Sequence, residues 1–445
     1  MQNPKTRAIL LFLLALTFGV LIFGGYLISR EKPPIPARVV DAQGKALFTG
    51  EDILAGQEFY FSRGGQHIGT IWGHGSYLAP DWSADFLHRM GLYLAARHQG
   101  LSPDEARGYG QEAFDDLAPA EKGRITALVT QEIKTNRYDP ATGALTLTPF
   151  QAEAFSALQD YYSELFIRGN ERMGLQAEIV RTPEEGFRLT GFFAWLAWAA
   201  GTLRPGAEHT YTTNWPYDPL VGNVPVPDAL IWSIVSVVLL ILAIAAALFY
   251  YLRYLRTDDY EAELLTEFPE PRPTPSQKAT LAYFLTAVLL FVLQIGMGAV
   301  TGHHTVEGTH FFGIPIGHIL PYAVTRTWHL QLAVFFIATC FLAAGLFIGP
   351  FVGQEPKGQR SWVLFLFAAV VIVVVGAMSG AWLSIGGHLD EYSFHLGHQG
   401  YEFIELGRLW QVLLIIGMLI WLVLVYRSIS PALKTEDDKG GLTHM

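Results

Sequence analysis

The sequence predicts a mainly α-helical protein, in which a polytopic membrane bundle of six spans carries one large extracytoplasmic domain. Of the 445 residues, 51% are hydrophobic and only 16% are charged, which is too apolar for an ordinary soluble protein. Six apolar stretches reach the roughly 20 residues that a helix needs to cross a bilayer core. They are continuously apolar rather than alternating, so we expect helices and not strands. The stretches are 8–28, 229–252, 279–300, 326–349, 361–385 and 409–426.

The first apolar stretch, ILLFLLALTFGVLIFGGYLIS, follows Lys5 and Arg7. A secretory signal peptide begins in the same way, but its apolar part is shorter and ends at a small-x-small cleavage site. This stretch is about 20 residues long, enough to span a membrane, and no such site precedes Arg30. We therefore predict an uncleaved anchor helix over residues 1–29.

The charges of the loops predict the orientation of the spans. Lys and Arg collect between spans two and three, between spans four and five and after span six, whereas the loop 301–325 has neither. Basic loops face the cytoplasm, so we expect both termini there, with a cytoplasmic tail over 431–445 and a five-helix membrane domain over 226–430. Residues 30–225 then form one extracytoplasmic domain of mixed structure, with a substantial helical part. Its acidic and apolar character gives no sign of nucleic-acid binding.

His329 lies about one turn into the fourth predicted span. An imidazole at this depth is costly unless it is paired, ligated or facing an aqueous cavity. A neutral imidazole nitrogen is a good axial ligand for haem iron. Arg326, one turn earlier on the same face, suits a haem propionate. From these residues alone, a haem ligand and a polar side chain satisfied by its neighbours remain equally open.

The stretch GHHTVEGTHFFG spaces His303, Glu307 and Phe311 by four residues. A helix that continues past Gly302 would place all three on one face. An imidazole, a carboxylate and an aromatic ring suit a quinol headgroup, which releases two protons as its electrons leave. An interfacial cap of polar residues explains the same spacing, and spacing alone does not decide between the two.

Two further stretches contain groups that could bind a ligand. In GHQGYEFIELGRLWQ, Glu402, Glu405 and Arg408 share a helical spacing that indicates either a solvated ion-pair face or carboxylates for Ca²⁺. In GGQHIGTIWGHGSYLAPDWSADFLHR, glycines surround His74 and Tyr77. Such glycine density marks tight turns, often with a bound group close to the main chain, although a structural loop has the same composition.

Three motifs, IWGHGSYLAPDW, RTWHLQL and GHQGYEFIELGR, together resemble the quinol-dependent nitric oxide reductases of the haem-copper oxidase superfamily. The resemblance runs over nearly the whole chain and implies a protein of the bacterial inner (cytoplasmic) membrane. It also implies that the extracytoplasmic domain is cytochrome-c-like but lacks haem c. The sequence agrees, because its single cysteine, Cys340, leaves no C-x-x-C-H attachment motif.

The same resemblance implies roles for individual residues. His329 corresponds to the first axial ligand of a low-spin haem b. The quinol site corresponds to His303, Glu307 and Phe311. A calcium site corresponds to Glu402, Tyr77 and the carbonyl of Gly75, and a proton-entry position beside it corresponds to Glu405.

The resemblance also implies parts that are missing from the sequence. The family reaction reduces two NO to N₂O and water at a high-spin haem beside a non-haem iron, whose ligands include paired histidines. No predicted span contains such a pair, and only His444 follows His398. We therefore expect the amino-terminal part of a split or truncated enzyme, whose second chain holds the high-spin haem and the non-haem iron. The alternative is a non-catalytic quinone-binding or assembly subunit of the membrane.

Overall fold

The computed structural model describes residues 4–74, 78–255, 272–310, 313–400 and 406–432. Most of these residues are helical, which confirms the predicted fold class. The α-helices are α1 (Pro4–Arg30), α2 (Gly50–Ser62), α3 (Trp82–His98), α4 (Pro103–Arg107), α5 (Gln111–Asp115), α6 (Pro119–Lys134), α7 (Pro149–Arg168), α8 (Pro183–Gly201), α9 (Pro227–Tyr250), α10 (Pro275–Glu307), α11 (Tyr322–Val352), α12 (Gln359–Ile385), α13 (Ser393–Leu396) and α14 (Arg408–Ile429). The strands are β1 (Arg38–Val40), β2 (Ala46–Thr49), β3 (Tyr138–Asp139) and β4 (Ala144–Thr146).

The part of the chain between α1 and α9, which we call the inter-span domain, begins several of its helices with local sequence signals. Four of these helices begin with a capping box. The side chain of the N-cap residue accepts the backbone N–H of the third helical residue, and the side chain of that third residue accepts the backbone N–H of the N-cap. These N-cap residues are Thr49, Ser102, Thr148 and Thr182. The strands form one sheet in the order β2-β1-β4-β3, in which β1 runs antiparallel to β2 and parallel to β4.

Aromatic side chains fill the core of the inter-span domain. Trp82 is fully buried, stacks on Phe193 at a centroid distance of 5.5 Å and donates its indole N–H to the carbonyl of Ile68 at 3.1 Å. Phe86 stacks on Tyr162 at 5.6 Å. An apolar cavity beside this cluster measures about 30 Å³, which is room for about one water molecule. The core is therefore filled by its own side chains.

Among the described residues, six helices are long and apolar enough to cross a membrane, in agreement with the predicted number of spans. They are α1, α9, α10, α11, α12 and α14. Two of them are longer than the apolar runs indicate: α10 continues to Glu307, and α11 begins at Tyr322. The apolar windows of α1 and α9 have no buried residue in the described structure, so these two spans present all their faces to lipid or to other helices.

The other four spans pack as a bundle held by side chains that donate to backbone carbonyls of neighbouring helices. The hydroxyl of Tyr283 donates to Val363 O at 2.7 Å, and the indole N–H of Trp421 donates to Leu342 O at 3.0 Å. Small residues allow close approach, since a Cβ on Gly345 would lie 2.5 Å from the ring of Trp421. Such contacts are typical of membrane helix packing, where apolar burial between helices contributes little.

The inter-span domain contacts one end of this bundle, which we call the domain-side end. The two terminal nitrogens of Arg181 donate to Gly387 O at 3.0 Å and Gly386 O at 2.7 Å, just after α12. Ser384 Oγ donates to Ser62 O at 2.8 Å. Because the acceptors are backbone carbonyls, these bonds require a particular backbone conformation at the contact and do not require a second side chain.

Candidate functional site

His329 lies about two turns from the start of α11, deeper in the helix than the apolar run indicates. Its ring packs against α10, where Nδ1 lies 2.9 Å from the carbonyl oxygen of Gln294. Gly298 makes this approach possible, because a Cβ there would lie only 2.7 Å from Cε1 of the ring. The pair of helices α10 and α11 therefore fixes the orientation of the imidazole.

This orientation also fixes the tautomer of His329. The Gln294 carbonyl can only accept a hydrogen bond, so Nδ1 carries the proton and Nε2 carries the lone pair. That is the form in which an imidazole binds iron while its other nitrogen is held by a backbone carbonyl. The side-chain amide nitrogen of Gln294 lies 3.2 Å from Nδ1 and 3.3 Å from Nε2, and with the Nδ1 proton donated to the carbonyl it can donate only to Nε2. The donor chemistry fits a haem axial ligand, and the same contacts satisfy His329 as a polar side chain.

Arg326 lies one turn before His329, toward the domain-side end of α11. Its residue surface is only 7% exposed, and its Nη1 lies 3.4 Å from the hydroxyl of Tyr322. A guanidinium held at this depth is a strong partner for a carboxylate group. Its place on α11 fits the predicted contact with a haem propionate.

His303 and Glu307 come together at the domain-side end of α10. The helix continues past Gly302, as the predicted site requires, and His303 Nδ1 lies 3.3 Å from Glu307 Oε1. Both side chains are partly exposed, so a ligand could reach them. The helix ends at Glu307, where Gly308 takes a φ of +79°, so the shared helical face covers these two residues. Phe311 lies outside the described residues.

The loop after α10 is tied to the inter-span domain by a residue that the sequence reasoning missed. The hydroxyl of Thr309 donates to Glu171 Oε1 at 2.7 Å, and His310 Nδ1 lies 3.4 Å from the same oxygen. Glu171 belongs to a short 3₁₀ turn, Glu171–Met173. No local pattern connects positions this far apart in the sequence, so only the fold brings Glu171 to the candidate quinol site.

The predicted calcium and proton-entry residues, Gly75, Tyr77, Glu402 and Glu405, lie outside the described residues. Among the residues that the structure does describe, no group of three or more His, Cys, Asp or Glu side chains is placed to hold a metal ion. Segments that flank the predicted ligands do approach each other. The backbone N–H of Gln66 donates to Gly400 O at 3.1 Å.

His398, in the GHQG motif, is a second residue that the sequence reasoning did not select. It is 1% exposed, and its Nδ1 accepts the backbone N–H of Gly400 at 2.8 Å. Its Nε2 lies 3.2 Å from the hydroxyl of Thr327, on the same helix as His329. The ring of His67, from the inter-span domain, lies 5.8 Å away. His398 therefore connects three parts of the chain at the domain-side end.

Two family models match this chain. The model of the NorB cytochrome c-like domain, from nitric oxide reductase, matches residues 36–217, which lie in the inter-span domain. The model described as cytochrome C and quinol oxidase polypeptide I matches residues 278–440, which begin within the first turn of α10 and extend past α14. None of the curated proteins matches the chain. The two models match the chain in the order that the three sequence motifs predict. The match to the oxidase family suggests haem cofactors. The chain therefore belongs to the haem-copper oxidase superfamily, as a nitric oxide reductase chain of the NorB type.

Proposed function

We propose that this chain is the quinol-oxidising, electron-input part of a nitric oxide reductase that converts two NO to N₂O and water. One observation carries the proposal. His329 lies in the region that the oxidase model matches, and its Nδ1 lies 2.9 Å from the Gln294 carbonyl oxygen. Its Nε2 would bind the iron in place of its contact with the Gln294 side-chain amide, 3.3 Å away. Arg326, buried one turn away, would bind a propionate. When bound, a low-spin haem b supplies one-electron transfer between the quinol and the catalytic centre.

His303 and Glu307 would receive the protons of the quinol. Oxidation of one quinol releases two electrons and two protons, and an imidazole and a carboxylate are suitable proton acceptors. Because they lie only 3.3 Å apart, both would face the same hydroxyl of the headgroup, the other hydroxyl being on the opposite side of the ring. Phe311 would complete this site by packing on the quinol ring. Protons released at this end of α10 would leave on the side of the inter-span domain.

Calcium would bind where the inter-span domain approaches the loop before α14. The proposed ligands are Glu402, Tyr77 and the carbonyl of Gly75, which are the hard oxygen donors that Ca²⁺ prefers, and Glu405 beside them would serve proton entry. The bond from Gln66 to Gly400 supports this placement, because it brings neighbouring segments together. A cation there would stabilise the contact between the inter-span domain and the bundle.

We further propose a location in the bacterial inner membrane, with both ends of the chain in the cytoplasm and the inter-span domain outside. The basic loops support this orientation. The inter-span domain would work without haem c, because the single cysteine, Cys340, leaves no C-x-x-C-H motif to attach one. The high-spin haem and the non-haem iron would be held by residues outside this sequence.

Quinol-driven NO consumption by the assembled enzyme tests this function. Replacement of His303→Ala should lower the rate with quinol by at least about tenfold, as expected for loss of a proton acceptor. It should leave the rate with an artificial electron donor unchanged. The matched control is His318→Ala, a histidine of the following loop. If the assembled protein binds quinol but consumes no NO with either donor, the chain is a non-catalytic quinone-binding or assembly subunit.

A further inference from the structure

A cleft with two cationic side chains opens at the end of the bundle opposite the inter-span domain, which we call the far end. It lies between the first turns of α10 and α12 and has a volume of about 280 Å³. Lys278 and Arg360 provide its charge. Its apolar lining consists of Pro275, Ala279 and Leu364.

Hydrogen bonds between helices hold the walls of the cleft in place. The side-chain amide of Gln277 donates to Phe347 O at 2.8 Å and joins the start of α10 to α11. The amide of Gln359 donates to Leu424 O at 2.9 Å and joins the start of α12 to α14. The cleft is therefore formed before any ligand binds, which lowers the entropic cost of binding.

The two cationic side chains of the cleft are accessible to a ligand. Lys278 and Arg360 are exposed, and neither forms an ion pair with any residue that the structure describes. The carboxylate of Glu355 also lies at the far end, but it accepts both the backbone N–H of Ser276, at 3.0 Å, and its hydroxyl. A negatively charged ligand would therefore find two cations and one carboxylate that is already engaged.

The start of α12 adds to the attraction for an anion. Its N-cap, Gly358, has no side chain to bond the backbone N–H groups of the first turn, although the N–H of Gln359 donates to Pro356 O at 3.2 Å. The positive end of a long helix without a side-chain cap favours negative charge. The start of α10 differs, because Thr274 and Gln277 form a capping box there. The anion should therefore lie nearer to Arg360 than to Lys278.

We propose that this cleft binds the headgroup phosphate of an anionic phospholipid. Two observations select a lipid over a soluble anion. The cleft lies at the ends of two membrane spans, where headgroups collect. Apolar side chains also continue from it along α12, since Trp362, Leu364 and Phe365 are 48%, 40% and 55% exposed. A ligand with a charged head and an acyl tail matches both parts of this surface.

The test compares the purified full chain in nanodiscs of phosphatidylcholine alone with nanodiscs that also contain phosphatidylglycerol. Phosphatidylglycerol should raise the unfolding midpoint of the wild-type chain, and mass spectrometry should detect it as a retained lipid. In the double variant Lys278→Ala and Arg360→Ala, retention should fall roughly tenfold to thirtyfold, as expected for the loss of two cations near a charged surface. The control is Lys357→Ala, which removes an exposed cation just before α12 that does not line the cleft. This variant should behave as wild type.

Three results would overturn the proposal. The first is an equal unfolding midpoint of the wild-type chain in the two kinds of nanodisc. The second is a charge-conserving double variant, Lys278→Arg and Arg360→Lys, that loses the lipid as fully as the alanine variant does. The third is the same stabilisation by inorganic phosphate in detergent, which would identify a site for small anions.

Discussion

The inter-span domain and the membrane bundle are stabilised in different ways. In the inter-span domain, large aromatic side chains such as Trp82 and Tyr162 are fully buried, and side-chain caps satisfy the helix ends. Among the membrane spans, interhelical hydrogen bonds to carbonyls hold the four helices of the bundle together, while α1 and α9, outside it, bury none of their apolar windows. The former therefore supplies its own core, whereas the latter depends on lipid and on other helices.

The two regions also contribute differently to the candidate site. The candidate redox residues His329, His303 and Glu307 lie on α10 and α11, in the part that depends on its surroundings. The inter-span domain contributes contacts that position loops at the domain-side end, such as Glu171 with Thr309. A damaged inter-span core should therefore disturb folding, whereas a changed bundle residue should disturb ligand binding first.

The largest contrast is expected from the same substitution in the two regions. Trp82→Ala should lower the free energy of unfolding of the inter-span domain by about 3–5 kcal/mol, because it leaves a cavity and breaks the aromatic stack. Trp232→Ala on the membrane span α9, where the side chain is 69% exposed, should change the free energy of unfolding of the full chain by less than about 0.5 kcal/mol. Denaturant unfolding of the full chain, followed by near-ultraviolet circular dichroism, measures both. Equal effects would abolish the distinction between the two regions.

Two glycines on α10 test whether helix packing orients His329. Gly298→Ala would place a methyl group 2.7 Å from Cε1 of His329 and should push the ring off its carbonyl partner. We expect a cost of about 1–3 kcal/mol for such overpacking, with a changed low-spin haem spectrum in the assembled enzyme. Gly296→Ala is the control, because a Cβ there has no atom within 4 Å. Identical spectra for the two variants would show that the packing against α10 does not orient His329.

The junction between the two regions should show an intermediate effect. Arg181→Ala removes two charge-assisted bonds to Gly386 O and Gly387 O, for an expected loss of about 1–2 kcal/mol. Limited proteolysis at the contact should accelerate accordingly. The control Arg168→Ala removes an exposed ion pair with Glu164 and should have almost no effect. If both variants are cut at the wild-type rate, the junction does not rest on this arginine.

The smallest effect concerns pH and is confined to the inter-span domain. The hydrogen bond to Asp218 raises the pKa of His88 in the folded state. The resulting stabilisation is fully present below the unfolded pKa of about 6.5 and disappears as pH rises through the folded pKa. The stability difference between wild type and His88→Gln should therefore shrink from mildly acidic to alkaline pH. A difference that grows with pH would contradict this sign.

The sequence predicts the spans well, because each is a continuous apolar run long enough to cross a bilayer. Helix starts such as Thr148 and Thr182 are also accessible to sequence reasoning, because their capping boxes are local. The positions and pairing of the strands were not predicted, because strands of two to four residues pair far along the chain, as Val39 does with Leu145. Local patterns contain no information about such pairings.

In the candidate site too, local contacts are predictable from the sequence and contacts between distant segments are not. His303 and Glu307 are four residues apart on one helix, so spacing alone predicts their contact. Gln294, which fixes the tautomer of His329, lies on another helix, and His398 reaches α11 from the segment before α14. Residues that position a functional group across elements become visible only once the fold brings them together.

The most direct test of the central claim is the reduced-minus-oxidised optical spectrum of the assembled enzyme with His329→Ala. The control is His388→Ala, an exposed histidine after α12. The account predicts that His329→Ala loses the low-spin haem b signal, while His388→Ala retains it with wild-type intensity. A full low-spin signal in the His329→Ala enzyme would contradict the account, because His329 would then be a polar side chain satisfied by Gln294 and not an iron ligand.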